Sequence, residues 1–249
     1  MKIAIVIPAR FASLRLPAKP LLRETGKYLI QHVYDRALQS RLATDVIIAT
    51  DDSRIFDAVR EFGGEVCMTR ADHPSGTDRI AEVASNLDAD IVVNLQGDEP
   101  LFDPSDLDSL AQSLIDNPAS GMATLATPFR DAVAWRNPNF VKVVCDDAGK
   151  ALYFSRSPIP MCRDGDPDFA ALPPLYLQHL GVYAYRRETL LKLSATPPHA
   201  IELSEKLEQL RALAHGIGIQ VGVIPHAHRG VDTPEDYAAF VQAWSSQTS

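Results

Sequence analysis

The chain is short of several things, and each shortage narrows what it is able to be. Cysteine is scarce: Cys67, Cys145 and Cys162 are the full set, and no two stand in a CxxC or other close spacing. That argues against a disulfide framework and against a structural zinc site. Cys67 and Cys145 sit in apolar runs and read as core residues. No stretch approaches the length of a membrane span, and the apolar run at 3–7 is too short for the core of a signal peptide. No membrane insertion is expected, and the expected compartment is the cytoplasm. Positive charge is in deficit, with 24 Lys and Arg against 32 Asp and Glu and a net charge of −8. A chain that grips nucleic acid is usually basic, so no nucleic-acid partner is expected. Four familiar motifs are missing: G-x-x-x-x-G-K-[ST], G-x-G-x-x-G after a strand, G-x-S-x-G and H-E-x-x-H. Their absence weakens P-loop, dinucleotide-dependent, serine-hydrolase and zinc-protease readings in turn. There is no internal repeat, low-complexity segment or clear linker, so residues 1–249 read as a single domain.

What is present is a large apolar fraction, 46% of 249 residues, enough for a sizeable core. The first half alternates strand-like and helix-like segments. Residues 2–7 form a β-branched run that Pro8 is expected to stop. Ile30, Val33, Tyr34, Ala37 and Leu38 fall at helical spacing. Further strands are expected at 45–50, 65–68 and 91–95, with helices at 52–62 and 77–87. Strands apolar throughout, separated by amphipathic helices, predict an α/β fold: a mixed, mostly parallel central sheet with helices on both faces. Ligands then bind beyond the carboxyl ends of the strands. After about residue 120 the rhythm becomes β-rich, with strands expected at 122–127, 141–145, 151–155 and 180–185. A turn at 146–149 predicts a hairpin. Residues 156–174 read as a loop, and 205–215 and 233–244 as helices.

Four segments carry candidate chemistry. The first is PARFASLRLPAKPL at 8–21, directly after the first strand. The first 23 residues hold Lys2, Arg10, Arg15, Lys19 and Arg23 and no acidic residue. In an acidic chain this local excess points to phosphate binding by Arg10, Arg15 and Lys19, rather than to an ordinary solvated loop. The second is QGDEP at 96–100, after the fourth strand. Gly97 permits close backbone approach and Asp98 is a hard oxygen donor suited to Mg²⁺, although Gly-Asp and Pro also serve as plain turn residues. The third is GVDTPED at 230–236. Thr233, Glu235 and Asp236 are explained by a helix start, which leaves Asp232 as a second candidate metal ligand. The fourth is MTRADHPSGTDR at 68–79, where Ser75-Gly76-Thr77 either presents groups to a base edge or caps a helix. His179 and Arg156, taken alone, are as readily structural as functional.

Together these segments resemble the CMP-Kdo synthetases, the 3-deoxy-manno-octulosonate cytidylyltransferases. The resemblance runs through IPARFASLRLPAKPL, VIIATDD, GGEVCMTRADHPSGTDR, NLQGDEP, NPNFVKVV, ALYFSR, HLGVYAYR, LEQLRAL and GVDTPEDY, across nearly the whole chain. It implies a nucleotide-diphospho-sugar transferase-like fold, with residues 1–120 as the nucleotide-binding half. A smaller β-rich half, 121–249, would serve sugar binding and dimerisation. It implies transfer of CMP from CTP to the anomeric hydroxyl of Kdo with release of pyrophosphate, for lipopolysaccharide synthesis, by a Mg²⁺-dependent cytoplasmic homodimer. Arg10, Lys19 and Asp98 would be catalytic. Pro8, Ala9, Arg10, Arg15, Lys19, Arg70, Ser75, Gly76, Gln96 and Asp98 would bind the nucleotide, and Asp98 and Asp232 the metal. Gln96, Arg156, His179, Tyr183, Glu208 and Gln209 would line the sugar site. Three departures stand out: Ala18 where the family usually has Gly, Tyr28 where it often has Pro, and a loop at 158–168 without the usual aromatic near Met161. The alternatives are CMP transfer to a related acidic sugar (8-amino-Kdo or sialate), or a sugar-nucleotide-binding protein without catalysis. Intact Lys19, Asp98 and Asp232 argue against the latter.

Overall fold

A computed structural model describes residues 1–13, 15–163, 165, 167–171, 174–228 and 230–248. The elements follow in the order β1 (Ile3–Ala9), α1 (Leu29–Ala37), β2 (Asp45–Thr50), α2 (Ser53–Glu61), β3 (Val66–Met68), α3 (Gly76–Ser85), β4 (Ile91–Asn94), α4 (Pro104–Asp116), β5 (Met122–Pro128), α5 (Ala132–Arg136), β6 (Lys142–Cys145), β7 (Ala151–Ser155), β8 (Leu177–Arg186), α6 (Arg187–Ser194), α7 (Ala200–Glu205), α8 (Gln209–Ala214), β9 (Ile219–Val223) and α9 (Pro234–Thr248). The fold is the expected α/β class, a mostly parallel sheet flanked by helices. Two compact units divide the chain: Met1–Asp108 with His228–Ser249, and Ser109–Ala227.

In the first unit β1 lies between β2 and β4, and β3 flanks β2, all parallel. Ile3 to Ile7 are almost completely buried, as a strand covered on both faces requires. The strand does not stop at Pro8; it runs on to Ala9, with Pro8 opposite Ala49. The reason is geometric. Even-numbered residues of β1 turn their polar groups toward β4, where pairing ends at Val6 and Asn94. The N–H that Pro8 lacks would have faced a side with no further ladder bond to make. Helix α1 buries Leu29, Ile30, His32, Val33, Tyr34 and Ala37. Leu38, expected on that stripe, instead closes the helix and is exposed. Asp52 caps α2 by accepting from the Arg54 N–H. Helix α9 packs Tyr237 and Phe240 with Leu16, Leu29 and Val231 in one apolar cluster. That cluster anchors both the loop after β1 and the segment before α9.

In the second unit β5 pairs antiparallel with β8 and parallel with β9, while β6 pairs antiparallel with β7 and β8. The β6–β7 hairpin forms as expected, with Asp146 N–H bonded to the Lys150 carbonyl and Gly149 at φ 74°. Strand β8 is longer than its apolar run, beginning at Leu177. The helix expected at 205–215 is α8, which starts only at Gln209; a separate helix, α7, precedes it and was not expected. Lys206 stands at φ 55° and ends α7, because a left-handed residue cannot continue an α-helix. Strand β9 and helices α4, α5, α6 and α7 have no counterpart among the expected elements. Among the described residues no helix is long and apolar enough to cross a membrane.

Candidate active site

The carboxyl ends of β1 and β4 open on a cavity of about 470 Å³ in the first unit. Of the residues singled out from sequence, Pro8, Ala9, Arg10, Arg15, Lys19, Gly76, Gln96, Asp98 and Asp232 line it. Arg70 and Ser75 do not. Ser75 caps α3, accepting from Asp78 N–H at 3.2 Å and donating to the Asp78 carboxylate at 2.7 Å. Arg70 is exposed and pairs with Asp72 at 3.0 Å. Among the described residues Ala12, Ser13, Pro20 and Gly97 also line it. Gly97 is required there: a Cβ at that position would stand 2.8 Å from the Pro8 carbonyl oxygen, which is backbone and unable to move aside.

Each charged side chain is placed by a local device. Lys19 opens a short 3-10 turn, Lys19–Leu21, that follows Ala18 at φ 54°. That left-handed conformation is why glycine suits this position, and an alanine there carries strain of about 1 kcal/mol. Asp98 follows β4 through the Gly97 turn, and its carbonyl accepts from the Val231 N–H at 2.8 Å. This bond joins the two backbone segments that carry Asp98 and Asp232. Asp236 accepts from the N–H groups of Asp232 and Thr233, while Thr233 Oγ1 accepts from Asp236 N–H. Thr233 therefore caps α9, as its residue type predicts.

Lys19 Nζ sits between the two carboxylates, 2.7 Å from Asp98 Oδ2 and 3.1 Å from Asp232 Oδ1. Arg15 Nη2 reaches Asp232 Oδ2 at 3.0 Å. A third carboxyl adjoins them. Glu99 Oε2 is buried with no hydrogen-bond partner. Burial first, then the charges of Asp98 and Asp232, push the Glu99 carboxyl up to about 8. The cluster thus brings hard oxygen donors together with the cations that pair with them. Mg²⁺ is commonly held by one or two carboxylates together with substrate phosphates. Asp98 and Asp232 are donors of the kind such an ion takes, and Arg10, Arg15 and Lys19 line the same cavity.

The second unit has a cavity of about 280 Å³ lined by Gln178, His179, Tyr183, Gln209 and the 139–141 segment, among others. Burial holds the His179 imidazole down to about 3, so the ring is neutral. Thr124 Oγ1 lies 3.0 Å from its Nε2, and 3.0 and 2.8 Å from the Leu180 and Val182 carbonyl oxygens. Arg156 and Glu208 do not line this cavity. The Arg156 guanidinium donates to the carbonyls of Glu205, Pro138 and Lys206 at 2.8, 3.0 and 3.4 Å.

Sequence reasoning passed over several residues that build these sites. Lys142 is fully buried, and its ammonium donates to the Asn137, Phe140 and Arg156 carbonyls at 2.7–2.8 Å. The available signal was a lysine inside the apolar run of NFVKVV. Arg79 and Glu82, at helical spacing in α3, and Glu99 beside Asp98 were likewise unread.

A cytidylyltransferase family model matches residues 4–219, and the chain belongs to that family. It is 51% identical over 241 residues to a 3-deoxy-manno-octulosonate cytidylyltransferase of Geobacter sulfurreducens, covering 95% of this chain and 96% of the relative. The Syntrophobacter fumaroxidans protein of the same name is 52% identical over 244 residues, covering 97% and 96%. A solved structure of CMP:2-keto-3-deoxy-manno-octonic acid synthetase complexed with CTP superposes with a TM-score of 0.92 at 46% identity, over 99% of this chain and 100% of that one. The 4-diphosphocytidyl-2C-methyl-D-erythritol synthase of Anaerococcus prevotii shares the fold, with a TM-score of 0.64 at 15% identity over 98% and 96% of the two chains.

Proposed function

We propose that this cytidylyltransferase moves CMP from CTP to 3-deoxy-manno-octulosonate, releasing pyrophosphate, as a Mg²⁺-dependent cytoplasmic homodimer. The observation that carries the reading is the first-unit cavity, where Arg10, Arg15 and Lys19 share one surface with Asp98 and Asp232. The names and close identity of the relatives supply the nucleotide and the sugar. Three cysteines with free thiols suit a reducing compartment. Leu152, Tyr153 and Val223 are exposed apolar residues on strands of the second unit, which suits a self-association surface.

In the reaction the anomeric oxygen forms a bond to the α-phosphorus. The bond from that phosphorus to the bridging oxygen of the β-phosphate breaks, and pyrophosphate leaves with the electron pair. The hydroxyl proton is lost to solvent. Lys19 and Arg15 would draw the β- and γ-phosphates by compact and forked hydrogen bonding respectively. Their charge would offset what accumulates on the departing pyrophosphate. Asp98 and Asp232 would hold the metal, with Lys19 limiting their mutual repulsion. Mg²⁺ when bound would lower the hydroxyl pKa and neutralise phosphate charge. The proximity of Glu99, kept largely protonated, adds no further negative charge against the triphosphate. For the sugar, neutral His179 would offer a hydrogen bond to a hydroxyl, and Gln209 and Tyr183 line the same cavity. Arg156, engaged with three carbonyls, would support that wall while offering its remaining N–H groups to an acid function.

The test is pyrophosphate release with Mg²⁺ and each of the four ribonucleoside triphosphates, with and without Kdo. Release that needs both CTP and Kdo is the expected result. Release with CTP and sialate or 8-amino-Kdo in place of Kdo would move the substrate; no release under any pairing would sink the reading.

A further inference from the structure

The segment 69–73 is gripped at both ends by α3. At one end, Arg79 Nη1 donates to Thr69 Oγ1 at 2.5 Å, and Arg79 Nη2 lies 3.1 Å from Asp51 Oδ2. At the other, Glu82 Oε2 accepts from the Arg70 backbone N–H at 3.1 Å and is bonded to His73 Nε2. Arg79 and Glu82 are three residues apart, so they share a helix face. The His73 side chain is only 8% exposed, and its carbonyl accepts from Arg10 Nη2 at 3.0 Å. Neither Glu82 nor His73 lines the cavity, whereas Arg10 does. The contacts thus form a chain from a helix side chain, through a buried ring and its own backbone carbonyl, to a guanidinium on the cavity wall.

We infer that Glu82 is a positioning residue for nucleotide binding, acting through His73 to hold Arg10 over the cavity. The inference rests on the proposed role of Arg10 at the triphosphate. Arg10 is otherwise an exposed, long side chain. Such a chain loses rotamer freedom when it grips a phosphate, and anchoring it beforehand reduces that loss. Glu82 supplies the anchor without touching the ligand. Glu82 holds the segment at two points: the His73 ring and, three residues earlier, the Arg70 backbone N–H.

The experiment is a double-mutant cycle on the intact protein, reading CTP affinity by calorimetry without sugar. Glu82→Ala is expected to weaken CTP roughly fivefold, the effect of about one hydrogen bond. The unfolding midpoint and the KM for the sugar should stay close to wild type. In an Arg10→Met background the same change should add less than about twofold. Equal weakening in both backgrounds, or unchanged CTP affinity in Glu82→Ala, would overturn the positioning role. A parallel loss of sugar KM and stability would instead mark Glu82 as merely structural. Should Glu82→Ala fail to fold, Glu82→Met carries the same cycle, since it keeps the side chain's length and volume while removing the oxygen that makes both bonds. Failure of the wild type to bind CTP would overturn the proposed function itself, a different result from any of these.

Discussion

At position 18 a methyl group sits where the backbone has turned left-handed. Ala18 has φ 54° and ψ 25°, immediately before the turn that presents Lys19. Strain of this kind persists only where the surroundings over-determine it. Ala18→Gly is expected to raise stability by about 1 kcal/mol, less the extra freedom glycine has when unfolded. With that deduction the thermal midpoint should rise by roughly 1–2 °C. A midpoint that stayed level or fell would show that the residue is unstrained. The second residue-scale expectation concerns Asp98, 2.7 Å from Lys19 Nζ. Asp98→Asn keeps the shape and removes the charge. Turnover should fall on the order of a hundredfold or more, with far-ultraviolet circular dichroism unchanged. Normal activity at limiting Mg²⁺ would rule out the metal-ligand role. The residue types in both motifs were legible because each chemistry demands a charged group beyond a strand end. Glu99 and Arg79 were not, because what sets them apart is burial, and neighbours in sequence do not reveal it.

At the scale of elements, α9 and α1 hold the apparatus together. His32 of α1 is buried and bonded to Thr25 Oγ1 at 2.6 Å, with its ring edge-on to Phe240 and Trp244 of α9 at 5.0 and 4.4 Å. Burial, with a smaller contribution from Lys27, lowers its pKa from 6.5 to about 4. Below pH 6.5 the unfolded chain takes up a proton that folded His32 refuses until about pH 4. Stability contributed by His32 is therefore intact above pH 6.5 and is lost as pH falls toward 4, by up to roughly 3 kcal/mol. Urea unfolding of wild type and His32→Gln at pH 7, 6, 5 and 4 should show that the variant lacks this portion of the acid slope. Identical slopes would mean the imidazole is solvated in the folded protein. Helix α1 was legible from its apolar spacing, and α9 from its Thr-Pro start. The break between α7 and α8 was not, since the left-handed Lys206 is a tertiary outcome at a residue type that tolerates helix well. The run of β1 through Pro8 was misjudged for a related reason. A proline's effect on a strand depends on which neighbour its missing N–H would face.

For the whole molecule, a cavity in the first unit gathers Arg10, Arg15 and Lys19 with Asp98 and Asp232, and another in the second gathers His179, Tyr183 and Gln209. The exposed apolar residues Leu152 and Val223, 60% and 50% accessible, give the homodimer proposal a testable surface. Light scattering on the intact protein should return about twice the chain mass of 27.3 kDa. Leu152→Asp should shift it toward a single chain, because burying a carboxylate in an apolar contact is costly. A wild-type mass of one chain would dispose of the dimer.

The sequence by itself determined the α/β class, the strand ends that bear ligand chemistry, and the basic and acidic residues that meet in the first cavity. These are set by local periodicity and by residue chemistry, which are written linearly. Only the tertiary structure decided that Ser75 caps a helix while Gly76 faces the cavity, and that the Arg156 guanidinium is engaged with three carbonyls. It alone showed Lys19 between two carboxylates 79 and 213 positions away in the chain. Those outcomes depend on which groups compete for the same partner in space, and that competition exists only once distant segments have been brought together.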